Sequence, residues 1–189
     1  MEWIVLGLVV GLVFVVIAKS SNKDKVSNNQ GEEDNGPTGQ GKRWVVRQGE
    51  ALEADEVFDA WTSGSLDQML AAMEKPTNPI DRHFLLLQIV EHTYKNRTDP
   101  EMADLLAATA EKHIQEFPGI APKLKEDMHG ILPRVPTYQH YATLLTERGE
   151  YAQAIEVCEE ALRLGLHDGT KSGFEGRIER IKKKRDKDV

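Results

Sequence analysis

The sequence predicts an all-α domain tethered to a membrane by one N-terminal apolar segment. Three observations carry that expectation. The chain begins with an uncharged apolar run, residues 3–18. Gly and Pro then punctuate residues 43–189 at helix-hairpin intervals, and between them apolar residues recur at helical spacing. Of β-type alternation there is one candidate run, Trp44-Val45-Val46-Arg47.

Residues 3–18 read WIVLGLVVGLVFVVIA, sixteen residues without charge, Pro or polar side chain. As a helix they cover about 24 Å, against a hydrocarbon core of about 30 Å. Local thinning and the snorkelling stem of Lys19 close that gap, and Trp3 stands where an interfacial aromatic belongs. A cleaved secretory signal is the competing reading. It calls for a basic stretch before the core and a small-residue cleavage site after it, whereas Glu2 precedes this core and Ala18-Lys19-Ser20 follows. The expectation is an uncleaved signal-anchor. Lys19, Lys23 and Lys25 flank its C-terminal end and no Lys or Arg flanks the other, so the N-terminus is expected outside and the domain in the cytoplasm, as in a bacterial inner membrane. A single cysteine, Cys158, suits a reducing compartment. Asn96-Arg97-Thr98 fits a glycosylation pattern that matters only in a eukaryotic lumen.

Residues 19–42 form a polar linker in which Val26 is the one aliphatic side chain. Such a composition buries too little apolar surface to offset its ordering entropy, and as a flexible coil it spans about 25–30 Å.

Within residues 43–189 the first helix is expected from about Glu50 to Thr62, through Leu52, Val57, Phe58 and Trp61. Ser65-Leu66-Asp67-Gln68 has capping-box form and opens a short second helix that Pro76 stops. Asn78-Pro79 sets an N-cap residue before a first-turn proline. The third helix, Ile80 to about Lys95, is apolar round most of its circumference and is expected at the centre of the domain. Asp99-Pro100 repeats the start signal for a fourth helix, which Pro118-Gly119 is expected to end, and a separate fifth segment runs from about Ala121 to Gly130.

From Thr137 the spacing becomes more specific. TYQHYATLLTERGEYAQAIEVCEEALRLGL resembles one tetratricopeptide repeat, about residues 137–166. That family builds each repeat from two antiparallel helices. Tyr138, Tyr141 and Leu145 match the first helix. Gly149-Glu150-Tyr151 matches the turn, and Ala154, Ile155, Cys158, Ala161 and Leu162 match the second helix. Small residues at 154 and 161 let the helices approach closely, and Gly149 allows the positive φ of a tight turn. Ala142 departs from the family's usual glycine, and Leu166 stands where it often has proline. Residues 80–118 read as an earlier, degenerate helix pair of the same kind. The resemblance implies a groove, lined by first helices, that takes a peptide or protein partner. Gln139, His140, Thr143 and Arg148 are the candidate contributors. After the turn at residues 166–172, Ser172-Gly173-Phe174-Glu175 has capping-box form and starts a last helix whose narrow stripe of Phe174, Ile178 and Ile181 suits a terminal cap.

Charge is distributed unevenly. Residues 44–169 hold 11 basic and 22 acidic residues, whereas residues 170–189 hold 8 basic and 4 acidic. An acidic body repels nucleic acid, so none is expected as a partner. The basic end, Arg177 to Lys187, reads as a solvated capping helix able to touch anionic lipid weakly.

Catalytic patterns find little footing. The histidines at 83, 92, 113, 129, 140 and 167 lack metal-ligand spacing, and no phosphate-cradling glycine loop or G-x-S-x-G elbow occurs. His113 falls on an apolar face and reads as core, His167-Asp168 as turn chemistry, and Cys158 as a buried, inert thiol. Asp81, Glu91, Asp104 and Glu111 read as solvated helix faces. No cofactor and no metal are expected. The leading expectation is a membrane-anchored, non-catalytic scaffold or adaptor facing the cytoplasm. Two alternatives stay open: an enzyme built in an irregular bundle around Asp81-Arg82-His83, and an envelope scaffold facing outward.

Overall fold

A computed structural model describes residues 42–47 and 49–188. The expected anchor, and the expected linker apart from Lys42, lie outside the described residues. Among the described residues no helix is long and apolar enough to cross a membrane.

The described chain is mostly helical, as expected. It opens, however, with a β-hairpin where the sequence suggested the start of a helix. Strand β1 (Trp44–Arg47) pairs antiparallel with β2 (Glu50–Glu53), with Trp44 opposite Glu53 and Val46 opposite Ala51. The two-residue connection turns through Gly49 at φ +80°. Val45 and Arg47 are buried while Trp44 and Val46 face out, the period-2 alternation of a half-covered strand. Glu50 to Glu53 therefore belongs to β2, and α1 (Glu56–Ser63) starts later, capped by Asp55, whose carboxylate accepts from the Phe58 amide. Local helix propensity lost to hairpin pairing, because β1 offers a partner and Gly49 the turn.

The start signals at Ser65, Asn78 and Asp99 act as expected, whereas the Ser172 hydroxyl accepts from Arg180. Ser65 caps α2 (Leu66–Ala71) by accepting from the Gln68 amide, and Asn78 caps α3 (Pro79–Lys95) by accepting from Ile80 and Asp81. Helix α3 is central. Leu85 and Ile89 join a satellite core with Val57, Ala60 and Met69 of α1 and α2, while Ile80 and Val90 join the main core with α4, α5, α6 and α7.

Helix α4 overrides its punctuation. It runs unbroken over Pro100–Asp127, with Pro118 and Pro122 inside, and absorbs the expected fifth segment. Each proline removes one ladder hydrogen bond and costs about 3 kcal/mol in an ordinary helix interior. Both prolines are exposed, so water can serve the freed carbonyls, and the buried stripe continues past them through His113, Phe117, Ile120 and Leu124. Burial of that stripe outweighs the lost bonds.

Helices α5 (Pro136–Glu147) and α6 (Tyr151–Arg163) form a hairpin across Gly149, whose φ is +80°. The Glu150 amide donates back to the Leu145 carbonyl and the Gly149 amide to that of Thr146, closing α5 with a Schellman motif. Tyr138, Tyr141, Leu145, Ala154, Cys158 and Ala161 are buried between these helices and their neighbours, and Tyr151 and Leu162 are half-buried. Helix α5 also packs on α3 and α4. Helix α7 (Gly173–Asp188) lies against α6 through Phe174, Ile178 and Ile181, the stripe read from sequence.

Candidate functional site: two grooves of opposite charge

Two grooves flank α5. One lies between α5 and α7, has a volume of about 290 Å³, and is lined by Thr143, Thr146 and Glu147 from α5 and by Arg177, Arg180, Ile181 and Lys184 from α7. The other lies over α4 and α6, has a volume of about 430 Å³, and its walls carry Glu111, Glu156, Glu159 and Glu160 against a single Arg163.

The α5/α7 groove follows from helical period. Arg177, Arg180 and Lys184 stand at i, i+3 and i+7 on α7, so they form one stripe beside the apolar one. Arg177 is braced at its inner end. Its Nη1 donates to Thr143 Oγ1 (3.1 Å), and its guanidinium pairs with Asp168 Oδ2 (3.3 Å), a carboxylate buried in the α6–α7 turn. Asp168 Oδ1 in turn accepts from the Thr170 amide (2.9 Å) and hydroxyl (2.7 Å). Burial disfavours the Asp168 charge, but those bonds and Arg177 outweigh it and hold the carboxyl below its ordinary range. Arg180 is held by the Ser172 hydroxyl (3.0 Å) rather than by an acid. Lys184 pairs with Asp188 (2.8 Å), which also accepts from the Tyr151 hydroxyl.

A ring stack joins α5 to α3. His140 lies on Tyr94, with centroids 3.8 Å apart and planes at 22°, and the Arg97 guanidinium carbon sits 4.1 Å from the Tyr94 centroid. Arg97 makes a bidentate pair with Glu147 (3.0 and 2.9 Å), tying the α3–α4 connection to α5. His140 is pushed down to about 4, first by burial and then by Arg134, Arg97, Arg177 and Lys95. The imidazole is therefore neutral at neutral pH and lies in a field set by cations.

The sequence candidates divide between these surfaces. Thr143 lines the α5/α7 groove, and His140 and Gln139 share its side of α5. Gln139 Oε1 and His140 Nδ1 are both shielded from solvent without a hydrogen-bond partner. Arg148 is not with them. It pairs with Asp104 of α4 (2.6 Å), away from the groove. Arg177, Arg180 and Lys184 enter the groove from a helix that sequence reading assigned to capping and lipid contact. Their i, i+3, i+7 spacing was the available signal.

The acidic groove is floored by Tyr141, whose hydroxyl donates to Glu111 Oε1. Glu111 and Asp104 are exposed, as expected of solvated faces. Asp81 is not, which corrects that reading. It is buried, pairs with Arg47 of β1 (2.6 Å), and accepts from Trp61 Nε1 (3.1 Å) and Asn78 Nδ2 (2.5 Å). The hairpin supplies the partner that makes its burial possible.

Asp81-Arg82-His83 does not converge as a cluster. Asp81 turns to the hairpin, Arg82 clamps Glu116 of α4 (2.7 and 2.8 Å), and His83 faces His113. His83 Nδ1 and His113 Nε2 are 3.0 Å apart, and His113 Nδ1 is 2.7 Å from Thr137 Oγ1, all three residues buried. Burial pushes His83 down to about 4 and His113 well below its ordinary value, the latter helped by His83 and Arg82. Both are neutral core residues, as the reading of His113 anticipated. Burial pushes the Cys158 thiol up to about 12, so the thiolate is not populated at neutral pH. Among the described residues no group of three or more His, Cys, Asp or Glu could hold a metal ion.

No family model matches the chain, and neither a curated protein nor a solved structure matches it.

Proposed function

We propose that the chain is a membrane-anchored, non-catalytic interaction module, tetratricopeptide-like in its helical hairpins, whose binding surface for a protein or peptide partner is the α5/α7 groove. The observation that carries the reading is the groove itself. It is an open channel along two helices, with an apolar floor residue, Ile181, hydroxyls at Thr143 and Thr146, and charges on its walls. Those are the components of polypeptide recognition: apolar contact for affinity and polar groups for register. The repeat reading rests on the sequence spacing of Tyr138, Tyr141, Leu145, Gly149, Ala154, Cys158 and Ala161.

Site-specific photo-crosslinking in native membranes tests it. A crosslinker at Thr146, in the groove, is expected to capture a discrete polypeptide, whereas one at Gln153 on the α4/α6 side is not. Equal capture from both positions, or none from Thr146, counts against the groove.

The location belongs to the same proposal: residues 3–18 span the membrane and the domain faces the cytoplasm. The basic flank at Lys19, Lys23 and Lys25 supports it. Protease added to intact cells should spare the domain and protease added to spheroplasts opened by lysis should cleave it; cleavage in cells permeabilised only at the outer membrane would place it outside.

A further inference from the structure

We propose that the α5/α7 groove takes an extended acidic segment of a partner polypeptide, its carboxylates meeting Arg177, Arg180 and Lys184. This rests on the reading of that groove as the binding surface and adds the chemistry of what fills it.

The first support is the sign of the local field. Residues 44–169 hold twice as many acids as bases, 22 against 11, yet this groove is walled by three cations from α7. The one acid on the groove wall, Glu147, is already neutralised by its bidentate pair with Arg97. Within a Debye length of about 8 Å the groove attracts carboxylates that the rest of the domain repels.

The second support is the state of the cations. Arg180 is exposed and held by a neutral hydroxyl, and Lys184 is held by Asp188 in the last turn of the chain's final helix. An incoming carboxylate can therefore pair with Arg180 without displacing any acid, and need displace only a solvated one at Lys184. Arg177, braced by buried Asp168, is a fixed point that sets register.

The third is dimension. Arg177 to Lys184 spans about 11 Å of helix, the length of about three residues in extended conformation. Short acidic chain fits that length. Duplex nucleic acid would bring its phosphates against the acidic surface beyond the groove. A bilayer would engage the outer face of α7, where Lys182 and Lys183 lie outside the groove.

The test uses the full chain in neutral detergent micelles and a fluorescent hexaglutamate peptide read by anisotropy, with hexaglutamine and hexalysine beside it. Hexaglutamate is expected to bind, and to weaken about tenfold as salt rises from about 0.05 M to about 0.5 M. The double variant Arg180→Glu with Lys184→Glu should weaken binding by about tenfold or more, and Arg180→Gln with Lys184→Gln by an intermediate amount. Both positions are exposed, so circular dichroism and melting should stay unchanged.

Absence of hexaglutamate binding overturns the proposal. Hexaglutamine bound as tightly as hexaglutamate would overturn the acidic class while leaving the groove a peptide site, provided the Thr146 crosslink persists. Loss of that crosslink would strike the groove reading itself. Binding to phosphatidylserine vesicles that the double variant abolishes, without hexaglutamate binding, would assign the cations to lipid instead. Concentration-dependent self-association abolished by the same variant would make a second copy of the chain the occupant.

Discussion

The α5/α7 groove and the α4/α6 groove sit on two sides of one helix and differ in how their charges are held. On the α7 side the innermost cation is fixed: Arg177 is locked between Thr143 and a buried carboxylate, and Arg97 is locked onto Glu147. On the other side Glu111 accepts from the Tyr141 hydroxyl, whereas Glu156 and Glu159 have no such brace and Glu160 has Arg163 at 3.8 Å, one turn along its own helix. Fixed charge gives geometry and loose charge gives only potential, because exposed pairs are worth about 0–1 kcal/mol and rearrange freely. The difference is that the α5/α7 groove has one cation of fixed position, Arg177, beside two that can re-pair, Arg180 and Lys184.

The comparison can be broken most severely at Phe174. This ring is buried and pins α7 to the main core, so Phe174→Ala should cost about 3–5 kcal/mol and detach the helix that carries the basic wall. The urea midpoint should fall sharply, and proteolysis should cut first in the α6–α7 turn. Cleavage elsewhere would show that α7 is not the separable wall.

A narrower break lies at Asp168. Asp168→Ala leaves Arg177 without its buried partner and should cost about 3 kcal/mol. Asp168→Asn keeps the Thr170 bonds but not the charge, and should cost less. Because the carboxyl is held below its ordinary range, its contribution is present above the unfolded value of 3.8 and disappears as pH falls through the folded one. Denaturation of both variants at neutral pH against wild type checks the order.

The mildest perturbation acts on both grooves together. His83 and His113 are neutral in the fold, and Thr137, at the start of α5, bonds to His113. Above pH 6.5 both histidines are neutral folded or unfolded, and their burial is free of any protonation penalty. Below it the unfolded chain gains protons that His83 cannot take up in the fold until about pH 4. Stability should therefore fall by about 2 kcal/mol for His83 alone between pH 7.5 and 5. Urea midpoints at pH 7.5 and 5 measure this, and a flat response would mean that water reaches the pair.

Much of this was legible in the sequence, and the rest was hidden for identifiable reasons. Caps at Ser65, Asn78 and Asp99 mark three helix starts because the capping bond is local and its residues are adjacent. The α5/α6 hairpin was legible because Gly149, Ala154 and Ala161 each have a steric reason. The hairpin β1/β2 was not, since its second strand, Glu-Ala-Leu-Glu, has the composition of a helix and becomes a strand by pairing. Pro118 misled because the length of an apolar stripe, rather than one residue, decides where α4 ends. Of the candidates read from α5, Thr143 lines the α5/α7 groove, and Gln139, His140 and Arg148 do not. The cations that face Thr143 come from α7, more than thirty residues away, and only packing brings them there.

The buried row of His83, His113 and Thr137 has one further consequence. A neutral imidazole carries a single N–H, so the row can be ordered in two ways. If the Thr137 hydroxyl donates to His113 Nδ1, then His113 must donate from Nε2, and His83 must receive at Nδ1 and carry its own hydrogen on Nε2. If His113 donates to Thr137 instead, every tautomer reverses. Three helices are thus joined by a thread of hydrogen bonds with a direction, and the nitrogen shifts of either histidine report the direction for both.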